Sequence, residues 1–444
     1  MNVTRDYYVN KLKNHIQDGF VKVITGVRRC GKSHLLFKQF REYLLGTGVD
    51  ERRIIEIQLD ADEFKPYRNA IALGEHLKSL LPKHPKSCFY VFIDEIQMCR
   101  KVLPDGIDLS RYAPEDRDEL YVTFYDVLNG LRQRENVDVY VTGSNSKLLS
   151  TDIATNFRDR GVQIRIHPFS FGEYWPVSGC AERAQAFDRY LVWGGMPEAV
   201  ALQDEGERAE YLKRLFTEVY LKDIRERHRL KGDYVLGNVI DCLSSAVGSL
   251  TNPSRLANTM KTLLRVETTD DTVNSYLGYL EDTFLFSRAR RFEVKGGRYI
   301  ESPSKYYAED VGLRNARLNF RQVEQTHLME NVIYNELVRR GANVDVGVVP
   351  IVTRVNGKQE MRQHEIDFVV NTGMQKVYIQ SAFGQPEGEK LEQETLPLRK
   401  SGDFFRKVIV TSGYAEPRVG KDGIVTIGVL PFLLDEKIYQ SIVS

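Results

Sequence analysis

Eight consecutive residues, Gly26-Val27-Arg28-Arg29-Cys30-Gly31-Lys32-Ser33, fit G-x-x-x-x-G-K-[ST]. This pattern suits a polyphosphate. Its glycines let main-chain N–H groups curl around phosphate oxygens, and the helix that follows presents its positive end. Main-chain groups from Gly26 through His34 are expected to cradle ATP, with Lys32 reaching the β- and γ-phosphates and the Ser33 hydroxyl ligating Mg²⁺. Such a loop needs an acidic partner, and Asp94-Glu95 closes the apolar run Cys88-Phe89-Tyr90-Val91-Phe92-Ile93. Asp94 is the expected second contact to the metal, through water, and Glu95 the group that polarises the attacking water. Thr142-Gly143-Ser144-Asn145 follows a further apolar run. A polar side chain there can sit between γ-phosphate and water; Asn145 is the first candidate and Ser144 the second. Arg158 and Arg160 precede Val162-Gln163-Ile164-Arg165-Ile166. An arginine there can neutralise transition-state charge, in cis or from a neighbouring subunit, and Arg160 is taken as the catalytic candidate.

These groups need a scaffold that brings strand ends together. Val21–Thr25, 53–59, 88–93 and 138–143 read as strands separated by helical stretches, which means βαβ units and a mostly parallel sheet. Residues 100–119 are polar, contain Pro104, Gly106 and Pro114, and read as a surface insertion. From 181 to 229 the pattern is helical, broken by Trp193-Gly194-Gly195-Met196-Pro197. Beyond it, Pro253 in a first turn, a helix from Asp270 and a hairpin around Gly296-Gly297 make a winged-helix-like unit. The last third is again mixed α/β, with a helix 329–339, strands 344–351, 365–370, 376–382, 407–411 and 423–427, and a charged helix 387–400.

Bulk properties set the class. At 444 residues the chain exceeds one ordinary core. With 62 basic and 61 acidic residues, its net charge of +1 argues against a surface built throughout for nucleic acid, while leaving room for a local basic patch. The five cysteines are scattered without metal-ligand spacing and read as reduced thiols. No apolar run reaches membrane-spanning length and the amino-terminal residues lack a signal-peptide pattern, so a cytoplasmic protein is expected.

The ordered series Ile24–Ser33, Phe92–Gln97, Thr142–Leu149, Pro168–Tyr174, Gly194–Glu198 and Tyr220–Ile224 resembles the bacterial and archaeal AAA-type ATPases that carry a C-terminal domain of unknown function. The resemblance implies a P-loop NTPase (AAA-type) parallel-sheet domain at 1–180, a helical lid or linker at 181–232, a winged-helix-like domain at 233–325, and an α/β domain similar to the restriction-endonuclease (PD-(D/E)xK) fold at 326–444. In that fold a helix acid, a strand aspartate and an E-x-K strand hold a divalent metal. Here Glu336 or Glu330 is the helix acid and Asp367 the strand acid. Gln380 and Ala382 stand where the next carboxylate and lysine belong, and Lys390 is too far along the chain to replace the lysine. A domain that has lost its chemistry is therefore expected.

Arg288, Arg290 and Arg291 by the wing, with Lys261 and Arg265, are the DNA-binding candidates. The expected function is Mg²⁺-dependent ATP hydrolysis driving a conformational switch that controls a protein partner or DNA. An ATP-dependent nuclease and an ATP-gated DNA-binding regulator are the alternatives, and homo-oligomerisation stays open.

Overall fold

The computed structural model describes residues 3–83, 86–144, 160–228, 230, 234–355, 358–373 and 375–443. The chain divides into two compact units, Asn2–Ile166 and His167–Ser444. Among the described residues no helix is long and apolar enough to cross a membrane.

The first unit is built on a five-stranded sheet of β1 (Val21–Thr25), β2 (Ile54–Gln58), β3 (Phe89–Asp94), β4 (Val137–Gly143) and β5 (Gly161–Arg165), in the order β2-β3-β4-β1-β5. Every pairing is parallel. The cause is legible in composition: β1, β3 and β4 are almost wholly buried, as strands covered on both faces by crossover helices must be. Those helices have local signals. Asn69 caps Ala70–Leu80 through its side chain, and Thr123 with Asp126 forms a capping box at Phe124–Arg132. At the amino ends of the central strands, Lys22 is fully buried against Asp138, with Asp18 2.8 Å away. Tyr140 donates to the same Asp138 carboxylate at 2.9 Å, which satisfies an otherwise costly buried charge.

The second unit carries a nine-stranded mixed sheet. Its strands are β6 (Leu250–Thr251), β7 (Phe286–Glu293), β8 (Arg298–Ala308), β9 (Asn343–Val355), β10 (Lys358–Asn371), β11 (Lys376–Ala382), β12 (Arg406–Thr411), β13 (Arg418–Val419) and β14 (Val425–Gly428). They lie in the order β13-β14-β12-β11-β10-β9-β7-β8-β6. Asn252 caps Pro253–Thr259 with Pro253 in its first turn, Thr269 caps Asp270–Asp282, and β7 and β8 form the hairpin expected around Gly296-Gly297. What the sequence reading does not foresee is that this hairpin is not free-standing. β7 pairs in parallel with β9, so one sheet runs through the middle and the last third of the chain.

Candidate functional site

The loop after β1 is shaped by backbone demands. Gly26 has φ +140° and lies so close to the β5 exit that a Cβ there would collide with the carbonyl oxygen of Ile166. Gly31 has φ +98° and stands at the start of a helical run, Lys32–His34, Leu35–Phe40 and Arg41–Gly46, whose middle stretch is π-helical. Arg29 also takes a left-handed conformation. Lys32 is the first residue of that run. It is buried, and its Nζ donates to the carbonyls of Gly26 at 3.0 Å and Val27 at 3.1 Å. The ammonium is thus parked inside the loop it is expected to serve. Val27 and Cys30 are buried, Arg28, Gly31 and Ser33 half-buried, and Arg29 and His34 exposed.

A residue without any motif completes the loop. Arg5 is buried; its Nη1 donates to the Cys30 carbonyl at 3.0 Å and its guanidinium lies 4.5 Å from the Tyr8 ring centroid. Its backbone N–H donates to Gln39 at 3.0 Å, and Gln39 in turn donates to the Val3 carbonyl at 2.6 Å. The amino-terminal segment is therefore tied both to the loop and to the helical run behind it.

β4 lies between β1 and β3, and its register sets Thr142 beside Ile24 on one side and past the Ile93–Val141 pair on the other. From there the buried Thr142 hydroxyl donates to the carboxylate of Asp94 and accepts the backbone N–H of Glu95 at 3.0 Å. Glu95 has φ +50°, a left-handed turn that this N–H bond holds. Gln97 donates its amide to the Glu95 carboxylate and lies 3.3 Å from the Ser144 hydroxyl. Loop and acids thus share the carboxyl edge of one parallel sheet, where open α/β sheets bind ligands.

Asn145 and Arg158 lie outside the described residues. Ser144 is buried in the network just described. Arg160 is not brought to the loop within this chain. It is exposed, and its carbonyl accepts the N–H of Val21, which places it at the amino edge of β1 and β5. In a parallel sheet that is the edge opposite the phosphate loop, and the five-residue β1 separates the two by about 16 Å. Arg165, at the other end of β5, is the arginine level with Thr25.

In the second unit, Glu330 and Asp367 do meet, both bonded to Lys305 of β8, at 2.8 and 3.1 Å. Glu336 does not join them: it pairs with Arg339 at 2.6 Å and Arg340 at 2.5 Å. Gln380 accepts the Asp367 N–H at 3.3 Å, while Lys390 is exposed and donates to the Phe383 carbonyl. The three arginines expected at a wing lie in β7 and are each engaged within the fold. Arg288 donates to Ser304 and to the Glu301 carbonyl, Arg290 lies over the Tyr299 ring, and the buried Arg291 donates to Gln363. Lys261 is 3.4 Å from Glu267, and Arg265 ends its helix in a left-handed conformation.

Comparison with known proteins adds relatives to this geometry. A family model described as an AAA domain matches residues 18–175, and one described as a domain of unknown function matches 184–324. An uncharacterized protein of Haemophilus influenzae is 31% identical over 436 residues, which span 97% of this chain and 98% of that protein. The uncharacterized protein MJ1544 of Methanocaldococcus jannaschii is 26% identical over 415 residues, 90% and 81% of the two chains. Among solved structures, the Orc1 protein of Aeropyrum pernix, in complex with DNA, aligns at 13% identity with a TM-score of 0.25, covering 72% of this chain and 93% of that one.

Proposed function

We infer the function from one premise: the chain belongs to the same family as the Haemophilus influenzae protein, and residues 18–175 match an AAA domain. The fold of the first unit is that of an AAA-type P-loop NTPase, and we propose that it binds and hydrolyses ATP. The observation that carries this reading is Thr142. From β4, the strand between the phosphate loop's β1 and the acids' β3, its one hydroxyl bonds both Asp94 and the Glu95 backbone, so the acids are aimed before any ligand arrives.

The donor set fits Mg²⁺-ATP. Gly26 lets the loop pass against the Ile166 carbonyl, where any Cβ would collide, Lys32 supplies a buried ammonium, and a hydroxyl and a carboxylate, Ser33 and Asp94, match the hard oxygen ligands that Mg²⁺ takes. Bound there, the ion would neutralise charge developing on the phosphates. Glu95 is assigned to orient and polarise the attacking water, and Gln97 to hold its carboxylate until then. The test is phosphate release by the purified chain. Wild type is expected to turn over ATP, whereas Glu95→Gln keeps ATP affinity and loses turnover by about 10²–10⁴-fold. Equal turnover in the two proteins would remove Glu95 from this role.

We further propose that hydrolysis drives a switch. Lys32 now satisfies two carbonyls of its own loop, and a bound γ-phosphate competes for the same ammonium. An ammonium has three N–H donors, so the phosphate adds a partner to Lys32 and shifts its balance with the two carbonyls, and the loop responds to the nucleotide. Hydrogen exchange on Glu95→Gln with ATP and with ADP is expected to differ beyond residues 26–34. Identical exchange outside that segment would leave an ATPase without a switch.

A further inference from the structure

The second unit buries a group of ionised side chains that ATP turnover does not use. Lys305, on β8, is only 3% exposed, and its Nζ lies 2.8 Å from Glu330, 2.6 Å from Glu365 and 3.1 Å from Asp367. The three acids come from two elements: Glu330 from the helix Gln325–Arg339, and Glu365 with Asp367 from one face of β10. An ammonium has three N–H donors and no acceptor, so three carboxylates take all of them. Two of the acids have further donors. Glu330 accepts the Tyr307 hydroxyl at 2.7 Å, and Asp367 accepts the Ser381 N–H at 2.9 Å through its second oxygen. Glu365, one-third exposed, is the acid with a way out to solvent.

Three carboxylates converging on one point are the donors that hard dications take. We infer that Lys305 is a built-in counter-cation: its ammonium occupies the convergence point of Glu330, Glu365 and Asp367 and closes it to divalent metal ions. The lysine side chain is fixed by its own backbone, whereas a metal ion has to be captured from solution and dehydrated. The intramolecular cation therefore competes without a capture step. Electrostatics agree with the geometry. Burial, with Asp367 beside it, raises Glu330 above the usual carboxylate range; against the pull of burial, Asp367, Glu330 and Glu365 hold Lys305 well above its ordinary range. With its ammonium directed at these three acids, Lys305 is not placed to hold a phosphate, and it takes the point where a metal for phosphodiester hydrolysis would sit.

The test is Mn²⁺ binding to the full chain without nucleotide, read by electron paramagnetic resonance and by thermal midpoint. Lys305→Ala is expected to gain a Mn²⁺ site at least ~10-fold tighter than anything in the wild type, with a raised midpoint. Adding Asp367→Asn should remove that gain, which separates this site from Ser33 and Asp94. If Lys305→Ala is unfolded in chelator, Mn²⁺ is expected to restore its native circular dichroism. A folded Lys305→Ala protein without the gain, a variant unfolded both with and without Mn²⁺, or a wild-type Mn²⁺ site lost in Asp367→Asn would each overturn the inference.

Discussion

Thr142 accepts the backbone N–H of Glu95 at 3.0 Å, and so fixes the turn on which the proposed water-polarising carboxylate sits. The same oxygen donates to Asp94. Thr142→Val keeps the shape and removes both bonds, so kcat for ATP is expected to fall by about 10–100-fold while ATP affinity moves far less. Thr142→Ser should retain most of the rate. Steady-state kinetics beside calorimetry checks both, and a valine variant with wild-type kcat would reduce Thr142 to a packing role.

Lys32→Ala removes the one ammonium inside the loop and leaves the Gly26 and Val27 carbonyls without their present donor. ATP affinity by calorimetry is expected to drop by at least ~100-fold, since charge-assisted bonds to phosphate are lost together with the loop's internal support.

Arg5 acts on the loop from outside it. Arg5→Ala deletes the bond to the Cys30 carbonyl and the contact over Tyr8, so a loss of about 2–3 kcal/mol in urea denaturation is expected. KM for ATP should rise while kcat holds, because the loop loosens but Glu95 stays put. Arg5→Lys should not rescue the loss, as a point charge cannot both stack and donate in the same plane.

A pH effect belongs to Glu336. Burial opposes its ionisation, but Arg339 and Arg340 override burial and hold it at about 2, below its usual 4.5. A depressed folded value means the stabilisation is present above the unfolded value and is lost as pH falls from about 4.5 through about 2. The lost stability is on the order of 3 kcal/mol. In urea titrations across that window, Glu336→Gln is expected to show a flatter slope from a lower plateau, because it removes the buried acid that Arg339 and Arg340 share and leaves Arg340 with the exposed Glu436 at 3.1 Å.

The phosphate loop was readable because it depends on residue type at fixed spacing: Gly26 and Gly31 are positions where the backbone tolerates little else. Asp94-Glu95 was readable because acids end an apolar strand. Thr142 was not, although its neighbours Ser144 and Asn145 drew attention. Its role comes from β4 lying between β1 and β3, and strand order is not written in local periodicity. Arg160 could have been placed from the sequence: a residue before a parallel strand sits at the amino edge, away from a loop that follows one. Arg5 and Lys305 left no local signal at all, since each reaches a partner 25 or more residues away through tertiary packing.

The parallel seam between β7 and β9 has a bearing on inheritance. Residues 184–324 match a family model of their own, yet β6, β7 and β8 belong to a sheet whose other six strands, β9 to β14, lie beyond that stretch. A recombination breakpoint placed near 324 would leave raw strand edges on both products, the kind of surface that draws chains into aggregates. Gene shuffling that respects this sheet has to transmit the hairpin and the last third together, as one cassette.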